Sequence, residues 1–238
     1  MSDRNGRMDD TRMDHTYSQF DTDLHRLRSA STTMAGLVER QITRAVEAVL
    51  AEDLGRVAQV LADEADVNRM HIQTDLLCNQ MIARLQPIAV DLREILAALH
   101  MNNDLERIGD EAKKIALKAR MLGTRPLPIE GARIGKMADI ACEMLRLAVD
   151  AYIRQDPDVA VRLIERDREV DGLRNELTEE LTAVMAANPA AVSQALALIF
   201  VVQSLERVGD HATNISEYVV TVVDGTDTRH SKASAIVG

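Results

Sequence analysis

Apolar residues recur at steps of three and four along most of the chain, which predicts long amphipathic α-helices. The clearest run comprises Leu198, Val201, Leu205, Val208, Ala212, Ile215, Val219 and Val222. The same steps connect Ala98, Met101, Leu105, Ile108, Ala112, Ile115, Ala119 and Leu122. Both runs have the spacing of a buried bundle seam, and the strict alternation of a β-strand is almost absent.

Turn and capping residues divide this pattern into six predicted helices, over about 17–50, 53–85, 87–123, 129–154, 156–186 and 188–223. Asp53, Asp156 and Asn188 have N-cap chemistry, and Pro87 suits the first turn of a helix. Segment 124–128 holds two prolines two residues apart, which cannot continue a helix, so we predict a linker there. The polar segments 1–15 and 224–238 are predicted to be disordered tails.

The two halves of the chain repeat one another. The sequence LERIGD at 105–110 recurs as LERVGD at 205–210, and segment 53–68 aligns with 156–171. A period of about one hundred residues is too long for a solenoid and indicates a duplicated domain-sized unit. We therefore predict an all-α protein of two tandem three-helix bundles, the first over 16–123 and the second over 129–223, with antiparallel neighbours joined by short connections.

Composition narrows the range of partners. The formal net charge is −10 and aromatic residues make up 2% of the chain, so neither a phosphate-backbone surface nor a base-stacking platform is expected. Cys78 and Cys142 lie in apolar helical patterns and are expected to be buried. The N-terminus lacks an apolar signal region, and the apolar run 190–202 is too short to cross a membrane. We expect a cytoplasmic protein that reaches membranes only through its partners.

Pairs of acidic residues four apart are the main candidate chemistry. Glu206 and Asp210 share one helix face, as do Asp167 and Asp171, because residues four apart are neighbours on a helix. If the fifth and sixth helices pack together, these carboxylates can converge on one cation that prefers oxygen ligands, such as Mg²⁺, Ca²⁺, Mn²⁺ or Fe. The alternative is an ordinary solvated acidic face, which sequence alone leaves open.

No catalytic arrangement of residues is recognisable. Di-iron bundles use Glu-x-x-His, which does not occur in the chain, and His211 lies on a different face from Glu206. Phosphate-binding loops and nucleophile elbows are also missing from the sequence. We expect a protein that is not an enzyme; the alternatives are a metal-independent helical scaffold and a carboxylate-bridged metalloenzyme.

The doubled LER motif, the preceding QPIAVDLR at 86–93 and the trailing HATNISE at 211–217 closely resemble the PhoU family of phosphate-transport regulators. The resemblance covers about residues 17–223 and implies two bundles related by an approximate two-fold axis. It also implies multinuclear metal sites on the bundle surface, with Fe, Mn, Mg, Ca or Zn as the metal. The implied ligands are Asp167, Asp171, Glu206 and Asp210, with Asn214 or Glu217 as additional ligands, and Glu64, Glu106 and Asp110 in the first half.

The first half departs from this pattern. Asn68 replaces the counterpart of Asp171, Lys114 that of Asn214, and Leu117 that of Glu217. Because a lysine can supply the positive charge that a metal would bring, we expect the second-half site to be the stronger one.

The resemblance further implies an adaptor that acts through protein contacts. It would connect the ATPase of the phosphate-specific ABC transporter to a sensor histidine kinase and keep the phosphate-starvation response off when phosphate is ample. Helices of about 35 residues are roughly 50 Å long, so the bundles should be elongated, and we expect a homodimer.

Overall fold

The chain forms an all-α structure. The computed structural model describes residues 5–51, 53–123 and 126–225, and over these ranges it contains six α-helices and no strand. The helices are α1 (Asn5–Leu50), α2 (Leu54–Leu85), α3 (Ala89–Leu122), α4 (Gly131–Arg154), α5 (Val159–Ala187) and α6 (Val192–Asp224), and a 3₁₀ turn (Pro189–Ala191) precedes α6. The predicted fold class and the six predicted helices are confirmed.

Two of the predicted capping residues act as expected. The Asp53 carboxylate accepts a hydrogen bond from the Gly55 N–H at 2.9 Å and so caps α2. The Asn188 side chain accepts one from the Ala190 N–H at 3.1 Å. Asn188 thereby starts the 3₁₀ turn, which leads directly into α6.

Two other helix starts were predicted a few residues too early. α3 begins at Ala89, because Ile88 has an extended backbone with φ −124° and ψ 157°, so Pro87 lies outside the helix. α5 begins at Val159 after Asp158, although the Asp156 side chain does accept a hydrogen bond from the Asp158 N–H at 3.1 Å.

The predicted N-terminal tail differs from the structure, because α1 already begins at Asn5. Segment 5–15 lacks an apolar face, but extending an established helix is far easier than nucleating one, so polar residues can continue it. Residues 1–4, 52, 124–125 and 226–238 lie outside the described residues, and with them most of the predicted C-terminal tail and part of the linker. Residues 126–128 are not helical, as the linker prediction requires.

The helices form two bundles that share one core. Helices α1, α2 and α3 pack against one another, as do α4, α5 and α6, and the bundles meet through α3 with α6 and α1 with α4. Every residue of the two predicted seams is buried. α3 and α6 are antiparallel, since Lys118 lies against Phe200 at one end while Arg93 donates to the Val222 carbonyl at the other.

Helix α6 is apolar because it lies in the core. Together with its preceding turn, Pro189–Val223 is the one helix among the described residues that is long and apolar enough to cross a membrane. Length and composition alone are weak evidence of that, because a core helix meets the same criteria. Here α6 packs against α3, α4 and α5 and carries Glu206, Arg207 and Asp210 near its middle.

Candidate functional site

The two LER motifs lie at the middle of the α3–α6 pair and are related by the duplication. On one side of this centre the Asp104 carboxylate lies 2.7 Å from Nδ1 of His211. On the other side, at the matched positions, lie the buried residues Glu111 and Ser204, and Ser204 acts to lower the pKa of Glu111. Asp104 matches Ser204 and Glu111 matches His211 in the duplication, so equivalent positions on the two sides are occupied by different polar residues.

The second-half carboxylates form one acidic surface between α5 and α6. Burial raises the pKa of Glu206 above its ordinary value, and the charges of Asp210 and Asp171 raise it further. Arg174 opposes this effect, because its guanidinium lies 3.7 Å from Glu206 and 3.6 Å from Asp171. The packing of α5 against α6 thus brings three of the four predicted ligands within electrostatic range.

Asp167, the fourth predicted ligand, lies in a surface groove on the same side of the molecule. Asp210, Arg207, His211 and Asn214 line this groove with it, and Glu111 and Thr213 complete its wall. Asn214, an additional ligand implied by the family resemblance, therefore also lies beside Asp210.

The first-half acid Glu64 is buried, whereas the sequence placed it on or near the surface. It is 4% exposed and accepts hydrogen bonds from Gln41 Nε2 at 3.0 Å and Asn68 Nδ2 at 3.3 Å. Burial raises the pKa of Glu64; the Gln41 hydrogen bond and the charge of Lys113 oppose this, whereas the charge of Asp110 adds to it. The sequence gave no sign of this burial, because Gln41 lies on α1, twenty-three residues before Glu64.

The lysine that approaches the first-half acids is Lys113 and not Lys114, which corrects the sequence interpretation. Lys113 Nζ lies 3.6 Å from Glu64 and 4.0 Å from Asp110. Lys114 turns the other way and binds Glu111 at 2.8 Å. The charge compensation expected in the first half is present, but a neighbouring residue provides it.

The third first-half candidate, Glu106, lies beside Arg107, whose Nε is 3.6 Å away. Arg107 also lies 3.8 Å from Asp110. Each first-half acid therefore has a cationic neighbour, as Asp171 and Glu206 have in Arg174.

The fit of these residues to a metal is incomplete in both halves. Among the residues that the structure describes, no group of three or more His, Cys, Asp or Glu side chains is placed to hold one ion. In the second half, burial raises the pKa of Glu206 and the charges of Asp210 and Asp171 raise it further, and a bound cation would relieve that repulsion. There Asp167, Asp171, Glu206 and Asp210 are the residues that would hold the ion.

Sequence reasoning missed the buried polar contacts that join the two halves. Burial acts to raise the pKa of Glu111, but hydrogen bonds from Lys114 and Ser204 and the charges of Lys114 and Arg207 lower it overall. Asp104 is likewise buried against His211. The available signal was two acidic residues, Asp104 and Glu111, directly beside the apolar seam of α3.

Comparison with known proteins agrees with this architecture. The PhoU domain model matches residues 31–119 and 134–219, one match in each half. The phosphate-specific transport system accessory protein PhoU homolog of Pseudomonas putida is 39% identical over 217 residues, covering 91% of this chain and 85% of that protein. The Escherichia coli protein PhoU of the same description is 33% identical over 219 residues, covering 91% of this chain and 90% of its own length.

Solved structures agree as well. The crystal structure of PhoU from Pseudomonas aeruginosa has a TM-score of 0.83 at 38% identity, covering 87% of this chain and 100% of that one. The phosphate transport system regulatory protein PhoU from Streptococcus pneumoniae shares the fold, with a TM-score of 0.81 at 22% identity, covering 87% of this chain and 98% of that one. With both bundles matched and more than a third of residues identical over most of the chain, this protein belongs to the PhoU family.

Proposed function

We propose that this protein is a cytoplasmic regulator of phosphate uptake and phosphate-starvation signalling. It acts as an adaptor between the ATPase of the phosphate-specific ABC transporter and a sensor histidine kinase, and it represses the starvation response when phosphate is ample. The observation that carries the proposal is the match of both halves to a family whose members are named accessory or regulatory proteins of phosphate transport.

In this proposal the protein works through contacts and not through catalysis. The relatives' names describe accessory proteins, and the buried polar groups of this chain serve to join helices, as Glu111 does between α3 and α6. Its acidic surface does not suit nucleic acid, and it reaches the membrane only through its partners.

The adaptor function is tested by calorimetry with purified full-length protein. The probes are the cytoplasmic portion of the host's phosphate-sensing kinase and the transporter ATPase, each with and without Mn²⁺ or Mg²⁺. Saturable binding to at least one of them is expected. Heat changes no larger than dilution for both partners, under every metal condition, would contradict the adaptor function.

The second-half carboxylates are proposed to bind a divalent or multinuclear metal. Asp167, Asp171, Glu206 and Asp210 supply oxygen ligands, and the metal stiffens the α5–α6 surface without taking part in chemistry. Support comes from Glu206, whose pKa is raised by burial and then by the charges of Asp210 and Asp171. Arg174 favours the alternative of a metal-independent scaffold, because it already lies close to Asp171 and Glu206.

Elemental analysis of untagged protein separates these two possibilities. The double variant Asp171→Asn, Glu206→Gln is expected to lose bound metal, whereas the first-half control Glu106→Gln keeps it. Arg174→Gln should retain more metal than the unaltered protein, because it removes a competing cation. Equal metal content in all four proteins would leave the scaffold as the better description.

A homodimer is also proposed, on the basis of the outer face of α2. Ile72 and Leu76 there are 61% and 55% exposed, whereas the matched α5 residues are Asn175 and Glu179. An apolar helix face of this kind is typical of an interaction surface. Sedimentation equilibrium is expected to give a dimer that Ile72→Asn, Leu76→Glu converts to a monomer; a monomeric unaltered protein would contradict this.

A further inference from the structure

One end of the α3–α6 pair exposes a continuous apolar patch, which we call the terminal patch. Met121, Leu196 and Phe200 are its most exposed apolar members, at 63%, 46% and 44%. It comprises Leu117, Lys118 and Met121 of α3 with Val192, Leu196 and Phe200 of α6. Three large apolar side chains at steps of four on α6 form an unbroken row on one helix face.

Contacts between the two helices make the terminal patch one surface. The Lys118 ammonium lies 4.3 Å from the centre of the Phe200 ring, in cation–π geometry. The same nitrogen lies 4.0 Å from Sδ of Met121. Lys118 therefore bridges α3 and α6 and places a positive charge within the apolar surface.

The terminal patch also carries a positive charge, in a chain whose net charge is −10. That charge is Lys118; Lys113 lies 3.6 Å from Glu64 and Lys114 lies 2.8 Å from Glu111, both nearer the centre of the α3–α6 pair.

Between the terminal patch and the centre of the pair lie Lys114 and Arg207, whose side chains are 51% and 58% exposed. Lys114 is paired with the buried Glu111, and Arg207 lines a groove with Asp167 and Asp210. Lys118 is therefore the cation that lies among the apolar side chains of the patch.

The duplication provides an internal comparison, because the other end of the α3–α6 pair holds the matched positions. There Glu217 stands for Leu117, Tyr218 for Lys118 and Thr221 for Met121, whereas Leu96, which is 37% exposed, stands for Leu196. Tyr218 stacks on His100, the counterpart of Phe200, with ring centres 5.1 Å apart. The helices therefore pack with Glu217, Tyr218 and Thr221 at these three positions, so α3–α6 packing does not require Leu117, Lys118 and Met121 at the terminal patch.

We propose that the terminal patch binds an acidic segment of a partner protein that carries apolar side chains. Apolar anchors would contact Leu196, Phe200 and Met121, and carboxylates would lie against Lys114 and Lys118. From Arg207 to Val192 the surface is about 22 Å long at 1.5 Å per residue, which matches about four turns of a helix. This inference rests on the proposed adaptor function and names the surface that performs it.

An anionic membrane is the less favoured occupant. Recognition of anionic lipid by soluble proteins uses clusters of about four to eight cations, and the acidic body of this protein would be repelled from such a surface.

Calorimetry with the kinase portion and the transporter ATPase tests the inference with one substitution at two matched positions. Leu196→Glu, in the terminal patch, should weaken binding about tenfold or more, since it places a charge among buried anchors. Leu96→Glu, its counterpart at the other end, should change binding less than about twofold. Lys118→Glu should also weaken binding, and added salt should weaken that of the unaltered protein.

The possible outcomes are distinct. If the unaltered protein binds and Leu196→Glu binds equally well, with both variants melting like the unaltered protein, the inference is wrong and the adaptor function stands. If the unaltered protein binds neither partner, both fail. Binding to vesicles of three parts phosphatidylcholine to one part phosphatidylglycerol that Leu196→Glu abolishes would overturn the inference in favour of a membrane surface.

Discussion

Gly109 and Gly209 occupy the same position in the two LER motifs, but their surroundings differ. A Cβ at Gly109 would lie 3.2 Å from Gln41 Oε1, 3.3 Å from Glu64 Oε2 and 3.3 Å from Val67. At Gly209 the nearest atoms, from Met144, are at an ordinary 3.5 Å. The first glycine leaves room for a buried carboxylate and amide, whereas the second has apolar neighbours. Sequence could not separate these cases, because the two motifs are nearly identical.

Substituting alanine should therefore have opposite effects at the two glycines. Gly209→Ala is expected to raise the free energy of unfolding by about 0.5–1 kcal/mol, because alanine favours a helix interior. Gly109→Ala is expected to lower it by about 1 kcal/mol, because the methyl group crowds Gln41 and Glu64. Urea unfolding of both variants provides the measurement. Equal stabilisation at the two positions would contradict the packing described around Gly109.

The burial of Glu64 predicts a pH-dependent stability. Its pKa is raised above its ordinary value of 4.5, mainly by burial, so the folded state binds its proton more tightly than the unfolded state does. Stability from this group is fully present below pH 4.5 and is lost as the pH rises through the folded pKa.

Glu64→Gln should therefore raise the free energy of unfolding at pH 7, and the difference from the unaltered protein should vanish below about pH 4. Unfolding followed by circular dichroism across this range provides the measurement. Glu206→Gln serves as the comparison, with the same direction and a smaller effect, since Glu206 is less buried. A variant less stable than the unaltered protein at pH 7 would mean that the Lys113 and Gln41 contacts outweigh burial.

At the scale of helices, apolar periodicity predicted the elements well and capping chemistry predicted their ends unevenly. All residues of the α3 and α6 seams are buried. Apolar residues spaced three and four apart lie on one face of a helix, and that face packs into the core. The start of α3 was misplaced because a proline fits both the first turn and the segment just before it. The start of α1 was missed because polar residues do not stop a helix that packing has already established.

Cap substitutions test the assigned helix starts. Asp53→Ala should lower the free energy of unfolding by about 1 kcal/mol, because the Gly55 N–H loses its acceptor. Asp158→Ala should have almost no effect, since Asp158 makes no capping hydrogen bond with its side chain. Thermal unfolding of the two variants measures this difference. A larger loss at Asp158 would place the start of α5 elsewhere.

At the scale of the whole molecule, buried polar contacts hold the two duplicated bundles together. Glu94 of α3 is ion-paired with Arg28 of α1 and accepts a hydrogen bond from Gln155, at the end of α4, at 2.9 Å. Glu111 of α3 lies 3.4 Å from Arg207 of α6. The sequence predicted the two bundles but not these contacts between them. Glu94 and Gln155 lie 61 residues apart in the chain, and Glu111 and Arg207 lie 96 residues apart.

Removing the charge of Glu111 should destabilise the joined structure. Glu111→Gln is expected to lower the free energy of unfolding at pH 7 by about 2 kcal/mol, because Lys114 and Arg207 lose a charged acceptor. The pKa of Glu111 is lowered below 4.5, so its contribution is present above that pH and is lost as the pH falls through the folded pKa. The exposed Glu176→Gln is the control, with a change below about 0.5 kcal/mol. No loss of stability in Glu111→Gln would show that this contact does not hold the bundles together.

The central claim concerns signalling, and the most direct measurement is made in the host cell. A reporter of a phosphate-starvation promoter is followed in ample phosphate after deletion of this protein's gene. Reporter activity is expected to rise on deletion, and to fall again when the unaltered protein or Leu96→Glu is supplied but not when Leu196→Glu is supplied at an equal level. A reporter that stays off after the deletion would contradict a repressive role for this protein.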